Sequence, residues 1–345
     1  MALYLLAVVV SFLLNFILII PFINALYRLK FQRSNQQTTD AFNNPTPIYD
    51  KYHNHKEGTP VGGGILIIVT TLITFILFML MFSFSNKEIF SNYPSIIAEI
   101  VIILFTFISF AGLGIYDDLN KMFVFGDKKF FGIRLRHKLI IEIILGLIIS
   151  LALYNFLKID IIHIPFFGVY EIGIFYVLFS TFVIVAFSNA VNITDGLDGL
   201  APGILMIVLA CFWVISRSIL DVPTSLFIGS WLGGLISFLY FNIYPARIML
   251  GDTGALSFGA TIAVIGLILG KAFALPIIGA VFVLEIATSL IQLVSKRFRH
   301  KKVFPVAPLH LLLQYKGWEE PKIVMRLWLI SIMCAIFGLM IAFMK

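Results

Sequence analysis

The chain has 345 residues, 60% of them hydrophobic and 12% charged, with 35 Phe and 2 Cys. An ordinary soluble domain is about 25% charged, so the polar skin of a soluble fold is missing and the long apolar runs belong in lipid. The aromatic and aliphatic content excludes disorder, and two cysteines inside apolar runs exclude a disulfide scaffold.

A bilayer-spanning helix takes about 20 mostly apolar residues. That ruler predicts ten spans, at 3–25, 62–83, 96–115, 138–157, 174–193, 200–219, 225–242, 255–270, 274–295 and 323–344. No repeat, low-complexity tract or soluble domain interrupts them. The expectation is one all-α polytopic membrane bundle over residues 1–345. The first run has Arg28 and Lys30 after it and no basic leader before it, so it reads as a true span. Between the fourth and fifth spans, 159–173 alternates apolar with polar or small residues around Pro165 and Gly168, the pattern of a short β-hairpin.

Ten spans put both termini on one side and divide the loops into two sets. Loops 26–61, 116–138, 194–199, 243–254 and 296–326 hold 20 of the 25 Lys and Arg. The positive-inside rule makes that set cytoplasmic, with both termini and the hairpin outside. Eleven of the 18 acidic residues share the cytoplasmic side. The net charge of +7 therefore reads as orientation and phosphate handling, not as a nucleic-acid partner.

The residues able to do chemistry fall into clusters on that face. The loop "HNHKEGTPVGGG" (53–64) brings Lys56 and Thr59 to a tight, backbone-exposing turn at the second span. "GLGIYDDLNK" (112–121) ends the third span with adjacent Asp117 and Asp118 and with Lys121 one turn on. Neighbouring carboxylates near lipid require a compensating cation or proton. "NAVNITDGLDGLAPG" (189–203) repeats Asn189, Asn192, Asp195 and Asp198 every three residues, which predicts one helical face presenting all four. Such oxygen donors on a glycine-softened turn suit Mg²⁺; the alternative is a capped interhelical turn. "NIYPARIMLGDTGALSFGA" (242–260) contributes Asn242, Arg247 and Asp252, and lacks the Lys of a P-loop. The tail 296–328 opens with a basic run suited to anionic headgroups and continues through Pro305 and Pro308 to His310. Carboxylates and amides fit for Mg²⁺, next to Lys121, Lys138 and basic loops fit for phosphates, are the equipment of phosphoryl transfer. Glu99, Glu142 and Glu285 lie deeper in the spans, with no cationic partner by pattern.

The aspartate pair, Asn-x-x-Asn-x-x-Asp-Gly-x-Asp-Gly-Leu and Gly-Asp-x-Gly occur in the order found in the polyprenyl-phosphate N-acetylhexosamine-1-phosphate transferase superfamily. From Gly58 to Trp328 the chain resembles that superfamily, and "APLHLLLQYKGWEEPKIVMRLW" is similar to the tail of its muramoyl-pentapeptide branch. The resemblance implies that UDP-N-acetylmuramoyl-pentapeptide and undecaprenyl phosphate give lipid I and UMP with Mg²⁺, in a bacterial inner membrane. It also admits a homodimer among membrane lipids. By matching position, Asp252 and Asn192 are implied Mg²⁺ contacts. Asp117, Asp118, Asp252 and His310 belong to the implied catalytic centre. Asn189, Asp195 and Asp198 would line the nucleotide side and Asn242 would bind substrate, with Lys121 and Lys138 facing phosphates and Lys56 and Thr59 at the same mouth.

The chain departs from the family where His310 is followed by Leu311 and Leu312 instead of two more His, where Met249-Leu250 replaces Phe-Met, and at Val61. Two rivals stay open. One is a sibling enzyme moving N-acetylglucosamine-1-phosphate; the other is a transporter whose acids are ion sites.

Overall fold

In lipid a helix satisfies its own backbone hydrogen bonds, so long apolar runs fold as unbroken helices. The computed structural model describes residues 1–33, 46, 48, 50, 52, 56–84, 89–122 and 135–344. Residues 53–55 of the first polar loop and much of the loop after the third span lie outside them. The helices are α1 (Ala2–Arg28), α2 (Gly63–Phe84), α3 (Ile96–Met122), α4 (Leu135–Phe156), α5 (Phe175–Thr194), α6 (Leu200–Ser218), α7 (Val222–Asn242), α8 (Gly251–Ile268), α9 (Leu275–Ile278), α10 (Ala280–Arg299), α11 (Leu309–Tyr315) and α12 (Glu320–Phe343). Among the described residues, α1 to α8 and α12 are the nine helices long and apolar enough to cross a membrane. The chain is a membrane protein.

The stretch read as a further span, 274–295, differs. It breaks at Gly279 into the four-residue α9 and the longer α10. α10 is amphipathic in the sense that lipid demands: Glu285, Gln292 and Ser295 face inward, while Leu284, Leu290, Ile291 and Val294 are exposed. Its last turn carries Lys296, Arg297 and Arg299, cations that complement the carbonyl end of a helix. A count of apolar residues cannot detect such a break.

The hairpin forms as expected. β1 (Ile161–Ile164) pairs antiparallel with β2 (Gly168–Glu171), with Ile161 opposite Glu171 and Ile164 opposite Gly168. It joins the end of α4 to the start of α5, away from the polar clusters.

α7 and α8 form the centre and are buried along nearly their whole length. Phe107, Phe227, Trp231 and Phe258 interlock there, with ring centroids 4.9 to 6.1 Å apart. In lipid the packing of helices depends on close approach more than on expelling water, and glycine permits it. A Cβ on Gly114 of α3 would stand 2.4 Å from the Asp252 carbonyl oxygen, and one on Gly64 of α2 would stand 2.3 Å from the Gly254 nitrogen. These two seams bring the acidic end of α3 and the 56–64 loop against the start of α8.

Candidate active site

The end of α3, the start of α4, the end of α5 and the start of α8 meet at one end of the bundle. α3 runs past the predicted limit of its span to Met122, so Asp117, Asp118 and Lys121 are all helical. Asp117 and Lys121 stand one turn apart, with Lys121 Nζ 3.3 Å from Asp117 Oδ2 and 2.7 Å from Asp252 Oδ1. Lys138, on the first turn of α4, repeats the pattern at 3.1 Å from Asp117 Oδ2 and 2.5 Å from Asp252 Oδ2. Two ammonium groups and two carboxylates therefore alternate around one point, with Lys121 the most accessible of the four.

Asp118 has a different task. Its carboxylate accepts from the backbone N–H groups of Asp252 and Thr253, each at 3.0 Å, and from the Thr253 hydroxyl at 2.7 Å. It thereby satisfies the free donors at the start of α8. The 56–64 loop is fastened to the same place: Gly62 and Gly63 donate to the Met249 carbonyl, and Gly64 donates to that of Leu250. Thr59, in that loop, accepts through its carbonyl from the Arg33 N–H.

The four-residue polar face expected over 189–198 is realised in part. α5 ends at Thr194 and Asp195 is its C-cap; Gly199 then adopts φ +78°, a conformation natural to glycine. The turn carries Asp198 off the helical face and into a separate network. There Lys56 Nζ lies 2.7 Å from Asp198 Oδ1 and 2.6 Å from Glu320 Oε1, with all three groups buried. Asn242 ties the turn down, accepting from Gly199 N–H at 3.0 Å and donating to the Ile248 carbonyl at 2.7 Å. The Trp328 indole donates to the Gly199 carbonyl at 3.2 Å.

Asn189 donates to Glu142 and to the Val185 carbonyl. Asn192 and Asp195, half-buried, make no hydrogen bond or ion pair through their side chains among the described residues. Burial and then the Asp252 carboxylate raise the Asp195 carboxyl well above the ordinary carboxylate range, against the pull of Lys56. Asp195 thus feels both networks, the one at Asp252 and the one at Lys56. His310, on α11, is buried with its ring Nδ1 3.0 Å from Glu285 Oε2.

The deep glutamates have partners after all. Glu285 meets His310, Glu142 meets Asn189, and Glu99 accepts from Ser91 at 2.5 Å and Thr224 at 2.6 Å. Sequence reasoning gave no role to Thr253, Glu320 or Trp328. The detectable signal for Glu320 was an acid beside Pro321 at the start of a span, a costly position unless a cation faces it.

Residues 100–270, from α3 through α8, match the family described as glycosyl transferase family 4. The chain is 36% identical to a phospho-N-acetylmuramoyl-pentapeptide-transferase of Caldanaerobacter subterraneus subsp. tengcongensis, over 82% of this chain and 84% of the relative. It is 34% identical to the protein of that name from Rickettsia felis, over 93% and 89% of the two chains. The same identity, 34%, holds for the one from Oceanobacillus iheyensis over 98% and 97%. Similarity of this depth along nearly the whole length shows that the chain belongs to the phospho-N-acetylmuramoyl-pentapeptide-transferase family.

Proposed function

We propose that the chain transfers phospho-N-acetylmuramoyl-pentapeptide from its UDP-sugar to undecaprenyl phosphate, giving lipid I and UMP, at the cytoplasmic face of a bacterial inner membrane. The observation that carries this reading is the alternation of Lys121, Asp117, Lys138 and Asp252 at one end of the bundle. The convergence of these groups at one end, not at mid-span, favours a transferase over a transporter. Two ammonium groups at that point can leave their carboxylates for substrate phosphates.

A lipid phosphate oxygen attacks the β-phosphorus of the UDP-sugar, and the bond to UMP breaks on the opposite side. A phosphate monoester loses its second proton near pH 6, so the nucleophile is largely ionised at neutral pH and no general base is obligatory. Asp117 positions that nucleophile, while Lys121 and Lys138 bind the phosphates and offset the charge spread over the transferring group.

The site fits Mg²⁺. Asn192 and Asp195 present oxygens without partners among the described residues, and Asp195 lies within the field of the Asp252 carboxylate; among the described residues no group of three His, Cys, Asp or Glu could hold a metal alone. Mg²⁺ characteristically takes one or two carboxylates and completes its coordination with substrate phosphates and water. Asp252 and Asn192 would hold it. When bound, the ion neutralises charge on the diphosphate and on the departing UMP.

The purified protein in detergent, given undecaprenyl phosphate, Mg²⁺ and each UDP-sugar in turn, tests the substrate. UMP and a lipid product are expected with the muramoyl-pentapeptide sugar. Product from UDP-N-acetylglucosamine alone would transfer the assignment to the sibling enzymes.

A further inference from the structure

We infer that Glu285 is the positioning residue through which His310 serves the nucleotide side of the reaction, an inference that rests on the transferase reading above. Glu285 is fully buried on α10, the helix that departs from a straight span after Gly279. It grips His310 twice. Oε1 accepts from the His310 backbone N–H at 3.1 Å, and Oε2 meets ring Nδ1 at 3.0 Å.

A carboxylate only accepts, so Nδ1 carries the proton and Nε2 is the ring atom left for another task. Its direction is fixed by its neighbour: a Cβ on Gly196 would stand 2.4 Å from Nε2. The ring thus points at the turn that carries Asp195, whose side chain has no partner among the described residues. A cap for the seven-residue α11 would need only the backbone bond. The second bond makes one carboxylate set both where α11 starts and how its imidazole is turned. Leu311, next in line, is buried, and His310 is the only histidine of α11.

The test uses the full-length protein in detergent, as wild type, E285Q, E285D, H310A and the double variant E285Q/H310A. For E285Q, kcat/KM for the UDP-sugar is expected to fall about 10- to 100-fold, the factor of one charge-assisted hydrogen bond. KM for undecaprenyl phosphate should stay within about twofold on the same reasoning, and E285D should recover part of the loss. The decisive comparison is the double variant, which should be no slower than H310A, because the Gln carbonyl oxygen still accepts the backbone N–H of residue 310 and no ring remains to be turned.

Wild-type kcat/KM in E285Q would overturn the inference, as would losses that multiply in the double variant. So would a loss matched by the fraction of protein unfolded in a thermal melt. If the wild type itself releases no UMP, the transferase reading fails separately. The ¹⁵N shifts of the His310 ring then decide for Glu285: an Nδ1–H tautomer in wild type that is lost in E285Q supports its role, and an unchanged tautomer overturns it.

Discussion

The Asp118 carboxylate accepts the backbone N–H of Asp252 at 3.0 Å, so one member of the aspartate pair holds a third aspartate in place. Asp117 and Asp118 are adjacent in sequence and divide the work. Asp117 faces the two lysines, and Asp118 fastens the start of α8, on which Asp252 sits.

Thr253→Val keeps the side-chain shape and removes the hydroxyl that donates to Asp118 at 2.7 Å. A buried acceptor loses one of its donors, at a cost of about 1–2 kcal/mol. Thermal unfolding in detergent should show that loss. Transfer should slow as well, because Asp252 is positioned through the same carboxylate.

Gly114 and Gly112 share α3 and make a matched pair. A Cβ at Gly114 would meet Asp252 and Thr253 backbone atoms at 2.4 Å, whereas one at Gly112 would meet nothing within 4 Å. Gly114→Ala should cost about 3 kcal/mol as an overpacked seam between two backbones, and abolish transfer. Gly112→Ala should leave both melting and activity near wild type.

Lys56→Met should destabilise the fold as well as reduce activity. It strands Asp198 and Glu320 in a buried site, where loss of one ionic partner costs about 3–5 kcal/mol. Returning the cluster to its wild-type net charge with Lys56→Met/Glu320→Gln should recover part of the melting temperature. If activity also returned, Lys56 would have only a structural role; continued inactivity marks it as a phosphate ligand.

At the opposite end, burial and then the Glu99 carboxylate raise the Asp221 carboxyl to about 8. An unfolded Asp titrates near 3.9, so the folded state holds a proton that the unfolded state has released. Stability from this group is complete below about pH 4 and is lost progressively as pH rises towards 8. Asn caps helices as well as Asp and cannot ionise, so the melting temperature of Asp221→Asn should fall less steeply between pH 5 and 8 than that of wild type. Parallel curves would rule out Asp221 as the source of the slope.

The clusters were legible because polar groups are costly at a membrane and so stand out from the apolar runs. Asp117, Asp118 and Asp252, which the structure brings together, stood out that way, whereas apolar length and alternation marked nine of the ten predicted spans and the hairpin. Pairing was not legible, since Lys56 meets a glutamate 264 positions away and no local pattern couples them. The glycines marked a turn at 196–199, but the direction of its side chains was not legible. A three-residue period predicts a continuous face, but α5 ends at Thr194 and Asp198, beyond it, pairs with Lys56. Glu285 and His310 meet across 25 positions, and the break at Gly279 that starts the helix carrying Glu285 is one an apolar count passes over.

The most direct measurement is single-turnover UMP release from UDP-N-acetylmuramoyl-pentapeptide on adding undecaprenyl phosphate and Mg²⁺, comparing wild type with Asp252→Asn. Asp252 joins both lysines to the centre, so the variant should melt as a folded protein yet release UMP at least about 10³-fold more slowly, the scale of losing a central electrostatic group. Release at close to the wild-type rate by folded Asp252→Asn would contradict a transfer centre at this cluster.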